Sequence, residues 1–201
     1  MFVLAEMKNT VRVAPDKFDR AMHDALRGHL EKTLVGKVLK DVGLCVAIFD
    51  ILEIQESFLL PGDGAAHTTV RFRVAVFRPF EDEVLTGKVK KCTSEGAKVT
   101  LGFFDDILIP PSNLQQPARY DEVEEAWIWE YETEDGKHDL FMDIGEPIRF
   151  RVLKNTFIET SPVEHSAKSQ EAAKADESLP CPYTVTASIS EPGLGLLSWW
   201  S

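Results

Sequence analysis

The first 36 residues carry two kinds of hydrophobic pattern. Apolar and polar side chains alternate through residues 10–13, which is typical of a half-buried strand. Pro15 and Asp16 then suit the first turn of a helix, where a missing N–H costs nothing and a carboxylate faces the positive end of the helix dipole. An apolar stripe at three- and four-residue spacing predicts one buried helix face up to Gly36. The stripe comprises Phe18, Met22, Ala25, Leu26, Leu30 and Leu34.

Two strand patterns and one loop complete the first part of the chain. A continuous apolar run at residues 42–49 has the length of a strand and suits one that is covered on both sides or lies in the centre of a sheet. Apolar residues alternate with Arg71 and Arg73 across residues 70–76, which predicts a half-buried strand. A Gly-containing loop at residues 61–67 precedes this second strand.

A change in charge marks a domain boundary near residue 80. Pro79 ends the preceding strand pattern, and acidic residues follow it at 81–83. Residues 1–80 contain 11 Lys and Arg against 10 Asp and Glu, whereas residues 81–201 contain 11 against 23. A chain of 201 residues is long enough for two small domains. We therefore expect one domain at 1–80 and a second, strongly acidic one at 81–201.

The second domain shows short strand patterns separated by turns, an arrangement typical of a small barrel or sandwich. An Asp-Gly dipeptide at residues 135–136 predicts a tight hairpin turn between two of them. The predicted strands are 84–89, 97–103, 107–109, 126–131, 140–142, 148–152 and 183–189.

Two segments of the second domain differ from this pattern. Residues 159–182 contain Ser, Glu, Ala, Lys and Pro with almost no large apolar side chain, so we expect a disordered insertion there. Residues 193–200 are largely apolar and end in Trp199 and Trp200. A tail with two Trp is expected to pack on something, because such large rings are seldom left free in solvent.

The composition is that of an ordinary globular protein, with 44% hydrophobic and 27% charged residues. No stretch approaches the ~20 apolar residues of a membrane span, and Glu6 interrupts the apolar start, so we expect a chain that is neither anchored nor exported. The three cysteines lack Cys-x-x-Cys spacing, which argues against a disulfide framework and a four-thiolate zinc site. These features favour a reducing compartment, the cytosol or the nucleus.

The Gly-containing loop begins like a dinucleotide-binding fingerprint but departs from it. Its sixth position is His67 where Gly or Ala is needed, and a strand pattern follows where a helix should open, so we reject a bound dinucleotide. Gly62 and Gly64 let the backbone adopt positive φ and let another backbone approach closely. An ordinary tight turn and a protein contact made by the loop tip both remain open.

No residue pattern indicates catalysis. Asp105 and Asp106 have the chemistry to hold Mg²⁺ or act as acid and base, but no second carboxylate motif supports this use, and a turn between two strands is the better interpretation. The nine acidic residues within 121–139 depart from the EF-hand pattern, which leaves a solvated acidic face or a surface for a basic partner. The five histidines form no His-Glu-x-x-His pair.

A basic cluster in the acidic second domain is a candidate for nucleic-acid contact, and it comprises Lys88, Lys90, Lys91 and Lys98. Small barrels bind single strands with lysines along the backbone and aromatic rings stacked on bases. The alternative is that the lysines are merely solvated and the nearby aromatic residues belong to the core. Because phosphate neutralisation needs clustered Lys and Arg, the acidic surroundings make such a contact local and weak. The nearby aromatic residues are Phe103, Phe104, Trp127, Trp129 and Tyr131.

Several motifs that follow one another along the chain point to one family. They are Met1-Phe2-Val3-Leu4, Val42-Gly43-Leu44-Cys45, Pro61-Gly62-Asp63-Gly64, Val76-Phe77-Arg78-Pro79-Phe80 and Gly102-Phe103-Phe104-Asp105-Asp106-Ile107. Together they resemble the larger stalk subunit of eukaryotic RNA polymerases, which has a counterpart in the archaeal polymerase. Residues 102–110, 126–130 and 193–200 are most similar to the RNA polymerase III version. The resemblance covers essentially the whole chain except residues 159–182.

The resemblance implies an α+β fold in two domains. The first is a ribonucleoprotein-like domain, an antiparallel sheet with a helix, and the second is an OB-fold β-barrel with insertions. It also implies a nuclear, non-catalytic subunit of DNA-directed RNA polymerase III without a cofactor or metal of its own. Such a subunit forms a heterodimer with the smaller stalk subunit and docks on the polymerase core near the clamp.

The resemblance further implies roles for particular residues. The tip loop of the family meets the polymerase core, and that role falls here on Pro61, Gly62, Asp63, Gly64 and Ala65. The barrel of relatives contacts emerging, single-stranded RNA, which here directs attention to the four lysines of the basic cluster. The RNA polymerase III stalk serves transcription initiation at small non-coding RNA genes, so initiation factors are candidate partners.

Two other functions provide alternatives. A free OB-fold RNA-binding factor of translation or RNA decay needs no apolar surface beyond its own core, whereas a stalk subunit should expose apolar surface when alone. A metal-dependent enzyme at Asp105 and Asp106 should lose a measurable activity on the change Asp106→Ala. We expect no activity to lose.

Overall fold

The computed structural model describes residues 1–133, 136–158 and 181–200. The chain divides into two compact units, Met1–Arg78 and Pro79–Ser201, at a point close to the boundary expected near residue 80. The disordered insertion expected at 159–182 lies almost wholly outside the described residues. Residues 134–135, which include the Asp of the predicted Asp-Gly hairpin turn, also lie outside the described residues.

The first unit is an antiparallel sheet with one α-helix, as expected. Its strands are β1 (Phe2–Val13), β2 (Val38–Leu39), β3 (Gly43–Leu59) and β4 (Ala66–Phe77), and its helix is α1 (Met22–Leu34). The four strands lie in the order β1-β4-β3-β2. Strand β4 therefore pairs along its length with β1 on one side and β3 on the other.

Buried and more exposed side chains alternate along β4, which confirms the predicted half-buried strand. The buried ones belong to the core of this unit. Every second side chain of β4 is buried against α1 and the neighbouring strands, while Arg71 and Arg73 lie on the opposite face. The helix contributes Leu26 and Leu30, both fully buried. Fully burying one such side chain stabilises the fold by about 1.5–3 kcal/mol. The buried face of β4 comprises Val70, Phe72, Val74 and Val76.

Helix α1 begins later than predicted. Residues Pro15–Lys17 form a 3-10 turn instead, in which Phe18 N donates to Pro15 O at 3.2 Å. Pro15 and Asp16 suit the start of that turn as well as they suit an α-helix, which is why the sequence pattern misplaced the helix start. The first two residues of the predicted apolar stripe are exposed, with Phe18 before the helix and Met22 at its first position, and only the later four are buried.

Strand β3 is an interior strand but is not covered on both sides. Irregularities in its pairing with β4 recur about every three residues, so Cys45 and Ile48 point into the core. Each bulge adds a residue that the partner strand does not match. Val46 and Phe49, between and beyond the buried pair, are 37% and 54% exposed. The continuous apolar run thus contains side chains on both faces of the sheet. Those on the face that α1 covers are buried, and those on the other face are exposed.

The described part of the second unit contains nine strands. In chain order they are β5 (Val84–Thr93), β6 (Gly96–Thr100), β7 (Ile107–Ile109), β8 (Ala118–Asp121), β9 (Ala126–Thr133), β10 (Gly136–Phe141), β11 (Pro147–Phe157), β12 (Tyr183–Ser188) and β13 (Gly195–Leu196). All seven predicted strands are present, the one at 107–109 with the predicted bounds and the other six with shifted ends. Strands β8 and β13 were missed, since one is largely polar and the other has only two residues.

Five of these strands close into a barrel, in agreement with the expected OB-fold. The order β12-β7-β6-β5-β11 is completed by direct pairing of β12 with β11. Strands β7 and β12 run parallel, and the other pairs in the ring are antiparallel. Closure leaves no free strand edge in the ring, so the barrel is complete by itself.

A second sheet is inserted between β7 and β11, and two short elements follow β12. Strands β10, β9 and β8 form a separate antiparallel sheet in that order. The C-terminal residues Leu197–Trp200 form a 3-10 turn, and the rings of Trp199 and Trp200 lie 5.3 Å and 6.1 Å from that of Trp129 on β9. The Trp pair of the tail therefore packs on the inserted sheet.

The close approach of β6 and β7 generates a prediction for Gly96. A Cβ at this position would lie 2.2 Å from Ile109 O at φ +139°, whereas a Cβ at Gly102, also at positive φ (+91°), would meet open space. We expect Gly96→Ala to lower the free energy of unfolding by about 3 kcal/mol and Gly102→Ala by about 1 kcal/mol. Urea unfolding followed by tryptophan fluorescence measures both, because all four Trp belong to this unit. Equal losses would show that backbone strain alone, without the clash, sets the cost.

Candidate protein and RNA contact sites

The tip loop, residues 61–65, connects β3 to β4. Gly62 and Gly64 adopt φ of +89° and +65°, a region that other residues rarely occupy, and Asp63 N donates to Leu60 O at 3.2 Å. The loop thus reverses the chain between two long strands and uses both glycines to do so.

Asp63 anchors the tip loop to the sheet. Its carboxylate accepts two hydrogen bonds from the Arg12 guanidinium, at 3.0 Å and 2.5 Å, and lies 2.9 Å from His67 Nε2. Arg12 belongs to β1 and His67 to β4, so one carboxylate ties the loop to two strands. Hydrogen bonds from Arg12 and then His67 hold the pKa of the Asp63 carboxyl well below its usual range. These hydrogen bonds fix the loop to the sheet.

The tip-loop residues that were predicted to contact a partner differ in exposure. Pro61, Gly62, Asp63 and Gly64 are exposed, whereas Ala65 is fully buried and so does not belong to the contact surface. Sequence reasoning missed the apolar residues just before the loop, although they lie in an apolar cluster at the end of a strand. Phe58, Leu59 and Leu60 are 50%, 64% and 45% exposed.

One edge of β3 is a second candidate surface. The short strand β2 pairs only with Gly43 and Leu44, and beyond Cys45 no described strand pairs with this edge. A groove of about 370 Å³ runs between α1 and residues 46–48. Arg27, Glu31, Lys32 and Val35 line the helix side of this groove. Unpaired backbone groups beside exposed apolar side chains form a ready template for another chain.

The four predicted lysines do not form one equivalent set. Lys88 lies opposite Thr100, and Lys91 lies opposite Lys98 across the β5–β6 pair. Lys90 falls at a bulge and points elsewhere, with its Nζ 2.6 Å from an Asp105 carboxylate oxygen. Thr100 Oγ1 also donates to Asp105, and these hydrogen bonds, led by that of Lys90, lower the pKa of the Asp105 carboxyl. Lys90 therefore fixes the turn after β6.

Arg149 lies on the outer surface of the barrel beside Lys88, whereas Lys90 does not. It lies on β11 opposite Thr86, two residues from Lys88 on the neighbouring strand, so both side chains point outward. Gly87 precedes Lys88 on β5, and Ile148 precedes Arg149 on β11. These two residues pair with each other on the inner side of the barrel. Sequence reasoning missed Arg149 because it is far from the lysines along the chain. The resulting basic band comprises Lys88, Lys91, Lys98 and Arg149.

The basic band contains cations that can attract an anion. Within the described residues, Lys88, Lys98 and Arg149 have no ion pair, and Lys91 lies directly opposite Lys98. Like charges in directly opposite positions repel one another. An anion bound along the band would relieve that repulsion, which is the property expected of a phosphate-binding strip.

Most of the aromatic residues near the lysines are structural. Trp127 is buried and donates from Nε1 to Thr93 O at 3.0 Å, and Phe104 is buried against Tyr183 with ring centroids 5.2 Å apart. Phe103 and Tyr131 are exposed, at 46% and 44%. The core interpretation is thus correct for Phe104 and Trp127, which cannot stack on bases.

The described residues contain no metal-binding cluster of three or more His, Cys, Asp or Glu side chains. Asp105 and Asp106 lie in the connection between β6 and β7, as the turn interpretation predicted. Asp105 pairs with Lys90, and Asp106 Oδ1 accepts a hydrogen bond from Cys181 Sγ at 3.1 Å. That hydrogen bond, together with burial, raises the pKa of the Cys181 thiol.

The three cysteines differ in burial, with Cys45 and Cys92 buried and Cys181 exposed. Cys45, Cys92 and Cys181 are all free thiols. Burial raises the pKa of the Cys45 and Cys92 thiols, so both are held as unreactive core residues. No helix among the described residues is long and apolar enough to span a membrane.

Comparison with known proteins assigns both units. Residues 83–200 match the family model described as RNA polymerase III subunit Rpc25, and residues 8–64 match an SHS2 domain found in the N terminus of Rpb7p and Rpc25p. The chain is 57% identical to DNA-directed RNA polymerase III subunit RPC8 of Bos taurus, over 100% of this chain and 99% of the relative. It is 38% identical to the subunit of the same name from Schizosaccharomyces pombe, over 100% of both chains. An archaeal relative, subunit Rpo7 of Saccharolobus shibatae, is 28% identical over 76% of this chain and 82% of its own length.

The anchoring of the tip loop generates a prediction for Asp63. Because its pKa is depressed in the folded state, its contribution to loop order is present above the ordinary carboxyl pKa of 3.8 and is lost as pH falls through the lower folded value. We expect Asp63→Asn to speed amide hydrogen exchange at residues 61–67 at neutral pH, and to remove the acid-induced increase seen in the parent protein. Exchange measured by mass spectrometry tests both effects.

Glu56→Gln is the matched control for this prediction, since Glu56 is an exposed acid near the same end of β3. Its exchange pattern at residues 61–67 should equal that of the parent protein. Unchanged exchange in Asp63→Asn would mean that the glycine turn holds the loop without the carboxylate.

Proposed function

This chain belongs to the Rpc25 family of RNA polymerase III subunits, and we propose that it is the larger stalk subunit of that enzyme, without a catalytic role of its own. It forms a heterodimer with the smaller stalk subunit and docks on the polymerase core near the clamp. There it contacts emerging RNA and supports transcription initiation at small non-coding RNA genes in the nucleus. Phosphoryl transfer belongs to other subunits.

The exposed apolar surface of the first unit carries this proposal. A protein that works alone gains nothing from large apolar side chains in water, since leaving each one exposed forgoes about 1.5–3 kcal/mol of burial. A permanent subunit regains that free energy on assembly. The exposed set comprises Phe2, Leu4, Phe18, Met22, Val35, Val46, Phe49, Leu52, Ile54, Phe58, Leu59 and Leu60.

The free edge of β3 supports the heterodimer. Val46, Phe49 and Leu52 lie along this edge and are exposed, and the groove beside α1 offers Arg27, Glu31 and Lys32 as polar contacts. A segment of a partner that pairs with the edge would bury these apolar residues and satisfy their backbone groups together. We assign this surface to the smaller stalk subunit.

The tip loop supports docking on the polymerase core. Its four exposed residues, 61–64, stand at the end of two long strands and are held by the Asp63 anchor. A rigid projection with little side-chain bulk can enter a recess in a larger partner at low entropic cost. Phe58, Leu59 and Leu60 would add the apolar contact area that the glycines lack.

The basic band supports a contact between the barrel and emerging RNA. Lys88, Lys91, Lys98 and Arg149 present positive charge on the outer surface of three adjacent strands. The second domain as a whole is strongly acidic, so its long-range field repels RNA while the band attracts phosphates locally. We infer a weak contact that guides RNA delivered by the enzyme and does not capture it from solution.

Purification of the natural complex tests the stalk assignment. The chain is tagged at its natural level and isolated from nuclear extract at moderate salt, and the proteins that accompany it are identified by mass spectrometry. The smaller stalk subunit and the RNA polymerase III core should accompany it. Recovery of the chain alone, or with ribosomal proteins, would favour a free RNA-binding factor instead.

The free edge of β3 gives a sharper version of this experiment. Phe49→Asp places a charge on the proposed dimer surface at a residue that is 54% exposed, so the fold should persist. We expect recovery of the smaller stalk subunit to fall about tenfold or more, because the change removes the apolar ring and places a carboxylate, near the Arg73 guanidinium, in the proposed contact. Val123→Asp, at a residue that is 92% exposed in the second unit, is the matched control and should leave recovery unchanged. Full recovery with Phe49→Asp would place the dimer contact elsewhere.

The basic band predicts a change in salt dependence. Binding of single-stranded RNA by the heterodimer is measured over a series of salt concentrations for Lys88→Ala combined with Arg149→Ala. The slope of log K against log salt should become shallower by about 1.4, or about 0.7 for each phosphate that is no longer neutralised. Lys8→Ala, which removes an exposed lysine of the first unit, should leave the slope unchanged. An unaltered slope in the double variant would exclude the band as the RNA contact.

A further inference from the structure

An exposed aromatic face on the inserted sheet has no part in the function proposed above. It consists of Trp129 and Tyr131 of β9 and Trp199 and Trp200 of the C-terminal turn. The Trp129 ring centroid lies 4.9 Å from that of Tyr131, 5.3 Å from Trp199 and 6.1 Å from Trp200. Tyr131 is 44% exposed and Trp200 is 45% exposed. Two large rings thus stand at the surface around a central one.

Hydrogen bonding and close packing hold these rings in place. Trp200 Nε1 donates to Leu194 O at 2.9 Å. Gly195 lets the Trp199 ring pack directly on the backbone, since a Cβ there would lie 2.7 Å from the ring. Rings that are already ordered lose little conformational entropy when a partner binds, so the face is preorganised for recognition.

One carboxylate borders the aromatic face, and the acids Glu130 and Asp139 lie opposite each other on the other face of the same sheet. The Glu146 carboxylate accepts a hydrogen bond of 2.9 Å from Ser198 Oγ, next to Trp199, and has no cationic partner among the described residues. Between residues 118 and 143 the sequence has ten acidic residues against two basic ones. The described base of that segment, Arg119, is already paired with Glu130 and Asp139 at 3.1 Å and 2.9 Å.

We propose that the aromatic face binds an extended, arginine-rich segment of another protein. A guanidinium plane stacks on the exposed rings of Tyr131 and Trp200, and a second guanidinium pairs with the Glu146 carboxylate. Arginine suits this site better than lysine, because its planar, weakly hydrated cation both stacks on rings and pairs with carboxylates through two N–H groups. The acidic residues of the inserted sheet add a long-range attraction that speeds association.

Charge decides between this partner and single-stranded RNA. Exposed rings also stack on bases, but a base-stacking site needs cations to neutralise the adjacent phosphates. The aromatic face has the Glu146 carboxylate beside it and belongs to an acidic sheet, and the basic band lies on the strands β5, β6 and β11 of the barrel instead. A basic peptide therefore gains from the same charges that oppose RNA.

Fluorescence anisotropy with three labelled peptides tests the proposal on the full chain. The peptides alternate glycine with arginine, lysine or glutamate. We expect binding of the arginine peptide, weaker binding of the lysine peptide and none of the glutamate peptide. Tyr131→Ala should weaken binding of the arginine peptide about fivefold, the equivalent of about 1 kcal/mol for removal of one cation–π interaction, and Tyr131→Phe by less than about twofold. Glu146→Gln should weaken it as well.

Two controls make each outcome decisive. Urea unfolding verifies that Tyr131→Ala retains the fold, and Val123→Ala serves as an exposed substitution in the same unit. Equal affinity for the arginine and lysine peptides would show that net charge alone drives binding, which would overturn the proposal. Unchanged binding in Tyr131→Ala would do the same. Binding of an oligouridine probe that Tyr131→Ala weakens would identify the face as an RNA site instead.

Discussion

A single helix covers one face of a four-stranded sheet in the first unit, and most of the exposed apolar surface follows from that imbalance. Helix α1 buries the core face of β4, but it reaches only the buried set of β3. The repeated irregularities of β3 then leave Val46 and Phe49 in solvent beside an unpaired edge. Within the described residues, this sheet thus leaves backbone groups and apolar side chains available to another chain.

The second unit has the opposite character, because its barrel closes on itself. Pairing of β12 with β11 and the parallel contact of β7 with β12 satisfy the main chain around the ring. A closed barrel needs no partner strand, so its outer surface is free to carry charge, and its longest connection is free to carry the inserted sheet. Among the described residues, the first unit therefore leaves strand edges open to another chain, whereas the ring of the barrel leaves none.

Local ion pairing decides which charged residues remain available for recognition. Asp63 is held by Arg12 and shapes the tip loop, and Lys90 is held by Asp105 and fixes a turn. Both are charged residues that serve the fold. Lys88 and Arg149 have no such pair within the described residues, so the charge that can meet a phosphate is set by pairing and not by the number of lysines in a segment.

Local pattern in the sequence determined most of the strands, the half-buried face of β4 and the family motifs, because a period of two and a turn dipeptide depend only on neighbouring residues. It misplaced the start of α1, since Pro15 suits a 3-10 turn equally well. Only the tertiary structure decided that Ala65 is buried, that Lys90 is paired with Asp105, and that Arg149 joins the basic band. Each of these three outcomes depends on strand register or on contacts between residues far apart in the chain. Register and such contacts cannot be read from the pattern of neighbouring residues.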